Sequence, residues 1–143
     1  MTELKDFKAI ADIWDEEGAE YEIFYTKPHF FVDASLGLQG LQRIREDFGK
    51  DVDNDLKEHY VSLGIIKTSE VIELTIFPLM QGHTWSPKGE AFEFIKEKGL
   101  KHTSMSVGDV IKGVKSGNCY MVDMFGFSLI QAKSQTVEKE LEA

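Results

Sequence analysis

The chain has one cysteine, three prolines and no apolar run close to the roughly 20 residues that a membrane-spanning helix needs. A single cysteine, Cys119, excludes an internal disulfide and a zinc site built on cysteines, and its apolar surroundings indicate a small packing residue. The first 18 residues are acidic and polar, where a secretory signal would be basic and then apolar. The sequence therefore predicts a cytoplasmic protein with no membrane partner.

Positive charge is also scarce, with 16 Lys and Arg against 25 Asp and Glu and a net charge of -9. Residues 1–70 hold 16 acids and 8 bases, whereas residues 71–143 hold 9 acids and 8 bases. Such a negative field disfavours general binding to duplex nucleic acid and to anionic membranes. It suits a basic protein partner, or it keeps the protein soluble.

The composition is that of a globular domain, since 42% of the residues are hydrophobic and 29% are charged. A length of 143 residues is about one ordinary domain, and no repeat or low-complexity stretch divides it. Apolar spacing switches between helical and strand periods along the chain. We predict one compact α+β domain over residues 1–133, with a small antiparallel sheet and several short helices, and a polar tail at residues 134–143.

The first half alternates between helical and strand signals. Apolar spacing predicts a helix over residues 4–17, a strand over 21–25 and a short partner strand over 29–32. Two helices are predicted next, one over 33–48 capped by residues 33–35 and one over 51–64 capped by residues 51–55. Residues 65–66 are predicted to be strand. The aromatic residues of Tyr21–Phe31 are placed to form an exposed strand edge. That edge would support a homo-oligomer.

The second half begins with β-branched residues at 71–77, which predict a strand that Pro78 ends. Residues 81–85 read as a loop. Ser86 and Pro87 then have the chemistry of a helix N-cap and first helical residue, for a helix that Gly99 ends.

A β-hairpin is predicted after residue 109. Gly108 can take positive φ and Asp109 can accept hydrogen bonds from nearby amides, so Ser106–Asp109 has turn chemistry. Strand-like residues start at Val110, and a turn at residues 115–118 leads to a strand at Tyr120. Gly126 between two phenylalanines indicates a bulge or a close backbone approach.

Catalytic and metal motifs are weak. Asp51-x-Asp53-x-Asp55 begins like a calcium loop, but Leu56 stands where that loop needs glycine and Ser62 where it needs glutamate. The four histidines show no helical pairing and nothing favours a zinc site. Ser104, His102 and Asp109 could assemble a hydrolytic triad, although such residues are common and the sequence predicts no enzyme and no cofactor.

Two stretches resemble nucleic-acid-binding elements. Leu36–Ile44 has the glycine spacing of a KH loop, but it lacks the basic residues between the glycines and lies in the acidic half. Met124–Leu129 matches part of the aromatic strand of an RRM domain. Lysines outnumber acids over residues 96–115, and lysines beside aromatic rings are used to bind single strands. The candidate nucleic-acid-binding residues are Lys96, Lys98, Lys101, His102, Lys112, Lys115, Tyr120, Phe125 and Phe127.

Residues 92–130 resemble the YodL-like domain of small proteins from Gram-positive bacteria, mobile elements and phages. The resemblance is carried by a helix, by HTSMSVGDVI at residues 102–111 and by YMVDMFGF at residues 120–127. It departs from the family pattern by an inserted Thr103 and by Gly108 where serine is common, and the first 80 residues match nothing. The motif residues with an expected structural role are Ser104, Ser106, Gly108, Asp109, Asp123 and Gly126.

The resemblance implies an accessory protein of a phage or mobile element that binds host machinery, and it implies no catalytic residue. The leading hypothesis is a non-enzymatic protein that binds a host or phage protein in the host cytoplasm. The alternative is an accessory protein that binds single-stranded nucleic acid through the lysines of residues 96–115 with Tyr120, Phe125 and Phe127. Whether Phe125 and Phe127 are buried or exposed bears on the choice.

Overall fold

The computed structural model describes residues 2–131, and the tail predicted at residues 134–143 lies outside them. The chain begins with a 3₁₀ turn at Leu4–Asp6. The elements that follow are α1 Lys8–Ile13, β1 Ala19–Thr26, α2 Pro28–Ala34, α3 Gly37–Ile44, α4 Val52–His59, β2 Tyr60–Thr68, α5 Ile72–Leu79, α6 Gly82–Trp85, α7 Phe92–Glu97, β3 Val110–Gly113, β4 Cys119–Val122 and β5 Phe127–Gln131. Among these residues no helix is long and apolar enough to cross a bilayer.

The described strands form one antiparallel sheet in the order β2-β1-β3-β4-β5. This confirms the predicted α+β class and the hairpin between β3 and β4. β1 pairs with β2 on one side and with β3 on the other. The predicted aromatic edge at Tyr21–Phe31 is therefore wrong, because β1 is an inner strand and the edges are β2 and β5.

Helices cover both faces of the sheet, because successive strand residues point to opposite sides. Ile23 and Tyr25 face a larger core made with α1, α5, α6 and α7. Phe24 faces a smaller core made with α2, α3 and α4. The result is three layers, helices on sheet on helices. Each fully buried isoleucine or phenylalanine in them stabilises the fold by roughly 2 kcal/mol.

The predicted partner strand at residues 29–32 is wrong, since the chain forms α2 there. Pro28 occupies the first helical turn, where its fixed φ and missing N–H cost little. Phe30 and Ala34, four residues apart, both lie fully buried in the smaller core. The aromatic residues of this segment favour a strand, but the helical spacing of Phe30 and Ala34 outweighs that preference, and the segment is a helix.

The predicted strand at residues 71–77 is also wrong, because α5 occupies that stretch. Ile72, Ile76 and Leu79 are buried in the larger core at spacings of four and three. That period places them on one side of a helix. Pro78 lies in the last turn of α5 rather than at the end of a strand.

Four predicted helices, over residues 4–17, 33–48, 51–64 and 86–99, are shorter than expected. Residues 4–17 divide at Phe7 into the 3₁₀ turn and α1. The helix predicted over 51–64 ends at His59, and β2 begins at Tyr60. Its cap is confirmed, because the Asp51 carboxylate accepts from Asn54 N at 3.2 Å.

α3 spans eight residues of the helix predicted over 33–48, and residues 33–35 do not cap it. The Ser35 hydroxyl instead donates to the carbonyl of Val32. The predicted loop at residues 81–85 contains α6. Ser86 is no N-cap, since α7 begins at Phe92, although the Ser86 hydroxyl accepts from Ala91 N at 2.8 Å.

Candidate functional site

Asp109 lies at the centre of the motif region, with a fully buried side chain. Its carboxylate accepts from Ser106 N at 2.8 Å and from Thr26 N at 2.9 Å, and it lies 3.0 Å from His102 Nε2. Burial raises the pKa of Asp109, and the hydrogen bonds from His102, Ser106 and Thr26 oppose that rise. The predicted role of Asp109 as an acceptor for nearby amides is confirmed.

His102 is packed between rings rather than open to solvent. Its imidazole stacks on Tyr25 with centroids 4.6 Å apart and planes 13° from parallel, and the Phe31 ring lies 4.8 Å away. The Tyr25 hydroxyl donates to the carbonyl of Thr103 at 2.7 Å, which fixes the same loop. Burial, followed by the nearby Asp109 carboxylate, raises the pKa of the Tyr25 phenol. The arrangement anchors the loop to the sheet.

The hypothetical Ser104–His102–Asp109 triad is only partly brought together. His102 and Asp109 are paired, but the Ser104 hydroxyl accepts from Gly82 N at 2.7 Å. The Ser106 hydroxyl donates to the carbonyl of Ser104 at 3.1 Å. Both serines therefore have partners that hold the loop in place, as a structural role predicts.

Gly108 joins the motif to α2. Its φ is +104°, as predicted for this turn, and a Cβ there would lie 2.4 Å from the Cβ of Ala34. Its N–H donates to the carbonyl of Val122 at 2.8 Å, and its carbonyl accepts from the Tyr60 hydroxyl at 2.8 Å. Glycine is required here both for the backbone conformation and for the close approach of α2.

A second polar anchor is Asp123, in the turn between β4 and β5. Its carboxylate accepts from Met124 N at 2.8 Å, from Leu38 N at 3.4 Å and from the Ser128 hydroxyl. Burial acts to raise the pKa of Asp123, but these hydrogen bonds outweigh it, and the pKa is lowered. Gly126 closes the turn with φ +72°. It is neither a bulge within a strand nor a close backbone approach, because a Cβ there would meet nothing within 4 Å. Asp123 thus ties the turn to the start of α3.

Four apolar side chains are exposed at the turn that Asp123 fixes and beside it. Met124 and Phe125 lie in the turn, whereas Val32 lies in α2 and Leu36 directly before α3. The exposed fractions are 71% for Val32, 50% for Leu36, 63% for Met124 and 97% for Phe125. Leu36 directly precedes Gly37, and a Cβ on Gly37 would lie 3.6 Å from Met124 Cγ. Val32 lies one helical turn before Leu36, because Ser35 and Leu36 keep helical backbone angles. We call these four residues the apolar corner.

The other predicted nucleic-acid-binding residues do not gather around Phe125. Phe127 is half-buried against the larger core, and Tyr120 is half-buried within β4. Lys115 lies in the turn between β3 and β4, at the opposite end of β4 from Phe125. The antiparallel order of the hairpin imposes that separation.

The remaining basic residues are spread over different elements. Lys112 lies in β3, 4.0 Å from the Asp53 carboxylate. Lys96 is exposed in α7, Lys98 follows that helix with its amine 4.8 Å from the Phe94 ring centroid, and Lys101 is exposed just before His102. Among the aromatic candidates, Phe125 alone is fully exposed.

The structure brings together His29 and His59, a pair that the sequence does not predict. His29 Nε2 lies 3.1 Å from His59 Nδ1, and the His59 ring stacks on Phe30 at 4.3 Å. Burial, then the charges of Arg45 and His29, lower the pKa of His59. No group of three or more metal-ligating side chains forms within residues 2–131. Thirty positions separate the two histidines in the chain, so only tertiary structure reveals them.

Comparison with known proteins gives no match: no protein-family model, no curated protein and no solved structure matches this chain. The resemblance of residues 92–130 to the YodL-like domain therefore stays a prediction.

Proposed function

We propose that this chain is a non-enzymatic binding protein, an accessory factor of a phage or mobile element that acts on a host or phage protein in the host cytoplasm. The observation that carries the proposal is the apolar corner. A phenylalanine that is 97% exposed, beside an exposed methionine and an exposed leucine, is a feature of interaction surfaces. Aromatic side chains of this kind are frequent anchors of protein–protein interfaces.

Rigidity of the turn supports the same function. The Asp123 carboxylate holds the turn to α3 through Leu38 N, and Asp123 N donates to the carbonyl of Gly126 at 2.8 Å. A turn that is already ordered loses little conformational entropy when Phe125 enters a pocket of a partner. The corner is therefore suited to present its ring in one position.

The lack of free charge at the corner favours a protein over a nucleic acid. Asp123 already has three hydrogen-bond donors, and Val32, Leu36, Met124 and Phe125 carry no charge. Proteins that bind single strands place basic side chains along the backbone and stack bases on rings. Here Lys112 and Lys115 lie at the far end of the β3–β4 hairpin from Phe125.

The buried motif supports a non-enzymatic role. His102 is stacked on Tyr25 and paired with a fully buried Asp109, and the Ser104 hydroxyl is bonded to Gly82 N. A nucleophile and its general base need to lie within hydrogen-bond reach of each other and of a substrate. These residues use their polar atoms to hold the loop instead.

The test compares Phe125→Ala with Phe92→Ala, a matched control at another exposed phenylalanine outside the corner. Immobilised wild-type protein captures partners from a host lysate, and a captured protein is then purified and titrated against each variant. Truncating an interface anchor costs 2 kcal/mol or more, so we expect Phe125→Ala to weaken binding about 30-fold or more. Phe92→Ala should bind like the wild type.

Equal binding by wild type and Phe125→Ala would reject the corner as the binding surface. A band shift with single-stranded DNA and RNA at two salt concentrations tests the alternative. Salt-sensitive binding that Phe125→Ala weakens would establish the nucleic-acid reading in place of ours.

A further inference from the structure

Exposed apolar side chains continue from the apolar corner along α3. Gly40 and Ile44, four residues apart, lie on one side of the helix, and Leu36, at its N-cap, lies beside Gly40. Leu36 is 50% exposed and Ile44 is 55% exposed. A Cβ on Gly40 would lie 2.8 Å from the Cβ of Leu36, so Leu36 stands directly beside the glycine. We call Leu36, Gly40 and Ile44 the α3 ridge; it has an exposed apolar side chain at each end, and Leu36 covers part of the glycine between them.

The two ends of the α3 ridge differ in charge. Beyond Ile44 come Arg45 and then the exposed Glu46 and Asp47. Residues 43–58 hold six acids and four bases, so acids remain in excess. At the Leu36 end lies the apolar corner, where the carboxylate of Asp123 is already bonded to backbone and hydroxyl donors. The Ile44 end is therefore acidic, while the Leu36 end is neutral.

A cavity of about 290 Å³ opens at the acidic end. Its lining includes the carboxylates of Glu46, Asp47, Asp55 and Glu58. Arg45 also lines it, but the Arg45 Nε donates to Asp33 at 3.0 Å and its guanidinium lies over the Phe30 ring at 5.0 Å. The Lys50 amine lies 3.3 Å from the Asp47 carboxylate. With its guanidinium engaged at Asp33, Arg45 offsets the other three carboxylates only in part.

The half-buried Asp55 lies in this cavity. Burial raises the pKa of Asp55, the hydrogen bond from Gly49 N and the charge of His59 act to lower it, and the neighbouring acids Asp51 and Glu58 act to raise it. A cation in the cavity would offset both the desolvation and the repulsion between carboxylates. The side chain of lysine or arginine is the size and charge that such a cavity accepts.

We infer that the α3 ridge docks an amphipathic helix of the partner protein, whose apolar side contacts Leu36 and Ile44 and whose lysine or arginine at one end enters the cavity lined by Glu46, Asp47, Asp55 and Glu58. This inference rests on the proposed function, because the apolar corner continues the ridge. Exposed apolar side chains along one side of a helix pack against the apolar side of a second helix, and an acidic cavity at one end of the ridge favours a partner helix with a basic end. A second copy of this chain that met the ridge with its own ridge fits less well, since it offers another acidic helix end.

The probe is a pair of synthetic helical peptides of roughly 18 residues, about five turns. Both carry leucines on one side at helical spacing, and they differ only in the last turn, which holds lysines in one and glutamates in the other. Fluorescence anisotropy with the full chain measures binding. We expect the lysine peptide to bind at least about 10-fold more tightly, and the difference to narrow as salt is raised. Equal affinities would overturn the inference.

Two sets of variants locate the peptide on the ridge. Ile44→Ser should weaken binding of the lysine peptide about 10-fold, whereas Leu74→Ser, at an exposed apolar position of α5, should leave it unchanged. Glu46→Lys combined with Asp47→Lys should reverse the preference between the two peptides. All these positions are exposed, and circular dichroism with thermal melting confirms that each variant folds.

The inference and the proposed function fail separately. If Phe125→Ala abolishes capture of the natural partner while Ile44→Ser binds the lysine peptide as well as the wild type does, the protein-binding function stands and the helix-docking inference is wrong. If the peptide binds at Ile44 while Phe125→Ala leaves natural binding intact, the ridge is the docking site and the corner is not. Concentration-dependent dimerisation that Ile44→Ser removes would identify a second copy as the occupant and overturn the inference.

Discussion

The carboxylate of Asp109 lies 3.0 Å from Nε2 of His102, seven residues earlier in the chain, and the pair closes the loop that carries the HTSMSVGD motif. Two backbone amides, from Ser106 and from Thr26 in β1, donate to the same carboxylate. One buried side chain therefore joins the loop, the start of β3 and the end of β1. The first two predictions concern this junction.

Asp109→Ala should destabilise the fold by about 3–5 kcal/mol, because it leaves His102, the buried amide of Thr26 and the partly buried amide of Ser106 without their acceptor. Asp109→Asn keeps one acceptor oxygen and should cost less. Urea unfolding followed by circular dichroism measures both, with Asp47→Ala as an exposed control. A loss below about 1 kcal/mol for Asp109→Ala would show that the junction is dispensable.

Gly108→Ala and Gly89→Ala separate backbone strain from close packing. Both glycines have positive φ, +104° and +79°, but a Cβ at Gly108 meets Ala34 at 2.4 Å and one at Gly89 meets nothing within 4 Å. We expect about 1 kcal/mol of destabilisation at Gly89 from strain alone, and about 3 kcal/mol or more at Gly108. If the two substitutions lower the unfolding free energy by similar amounts, α2 moves away from Gly108 readily.

Cys119 should be unreactive in the folded protein. The residue is fully buried in the smaller core, and burial raises the pKa of its thiol to about 11. Since the thiolate is the reactive species, a thiol reagent at pH 8 should modify the native protein far more slowly than the protein unfolded in urea. Equal rates would show that the β4 side of the core opens frequently.

The His29–His59 pair should make stability depend on pH. The pKa of His59 is lowered by burial and by the charges of Arg45 and His29, so the unfolded chain binds a proton more readily. The contribution of His59 to folding stability is fully present above the pKa of a histidine in the unfolded chain, about 6.5. It is lost as the pH falls from there toward the lower pKa of His59 in the folded protein.

Unfolding free energies at pH 7.5 and pH 5.5 measure this dependence. We expect wild type to lose stability at the lower pH and His59→Gln to lose less. His83→Gln is a control at a histidine in α6, on the opposite side of the sheet. The assignment to His59 is contradicted if His59→Gln loses as much unfolding free energy as the wild type does between pH 7.5 and pH 5.5.

Local chemistry was enough to predict the β3–β4 hairpin. Lys115–Asn118 is a turn, and Val110 and Tyr120 belong to strands that pair directly across it. The positive φ of Gly108 and the Asp51 cap followed from the same short-range rules. These features need contacts only between residues close in the chain.

Helices α2 and α5 were not predicted because strand preference and helical spacing conflicted there. Aromatic and β-branched residues at 29–32 and 71–77 favour strands, yet Phe30 and Ala34, and likewise Ile72 and Ile76, bury one side of a helix. A short apolar run alone does not separate a buried strand from a buried helix.

The sequence by itself determined an acidic α+β domain with a lone packing cysteine, a hairpin near residue 110 and a motif whose glycine and aspartate are structural. Composition and short-range turn chemistry contain that information. Only the tertiary structure decided that β1 is an inner strand, that Phe125 is exposed while Phe127 packs on the core, and that His29 meets His59. Exposure and long-range pairing depend on how helices cover both faces of the sheet, which no local stretch specifies.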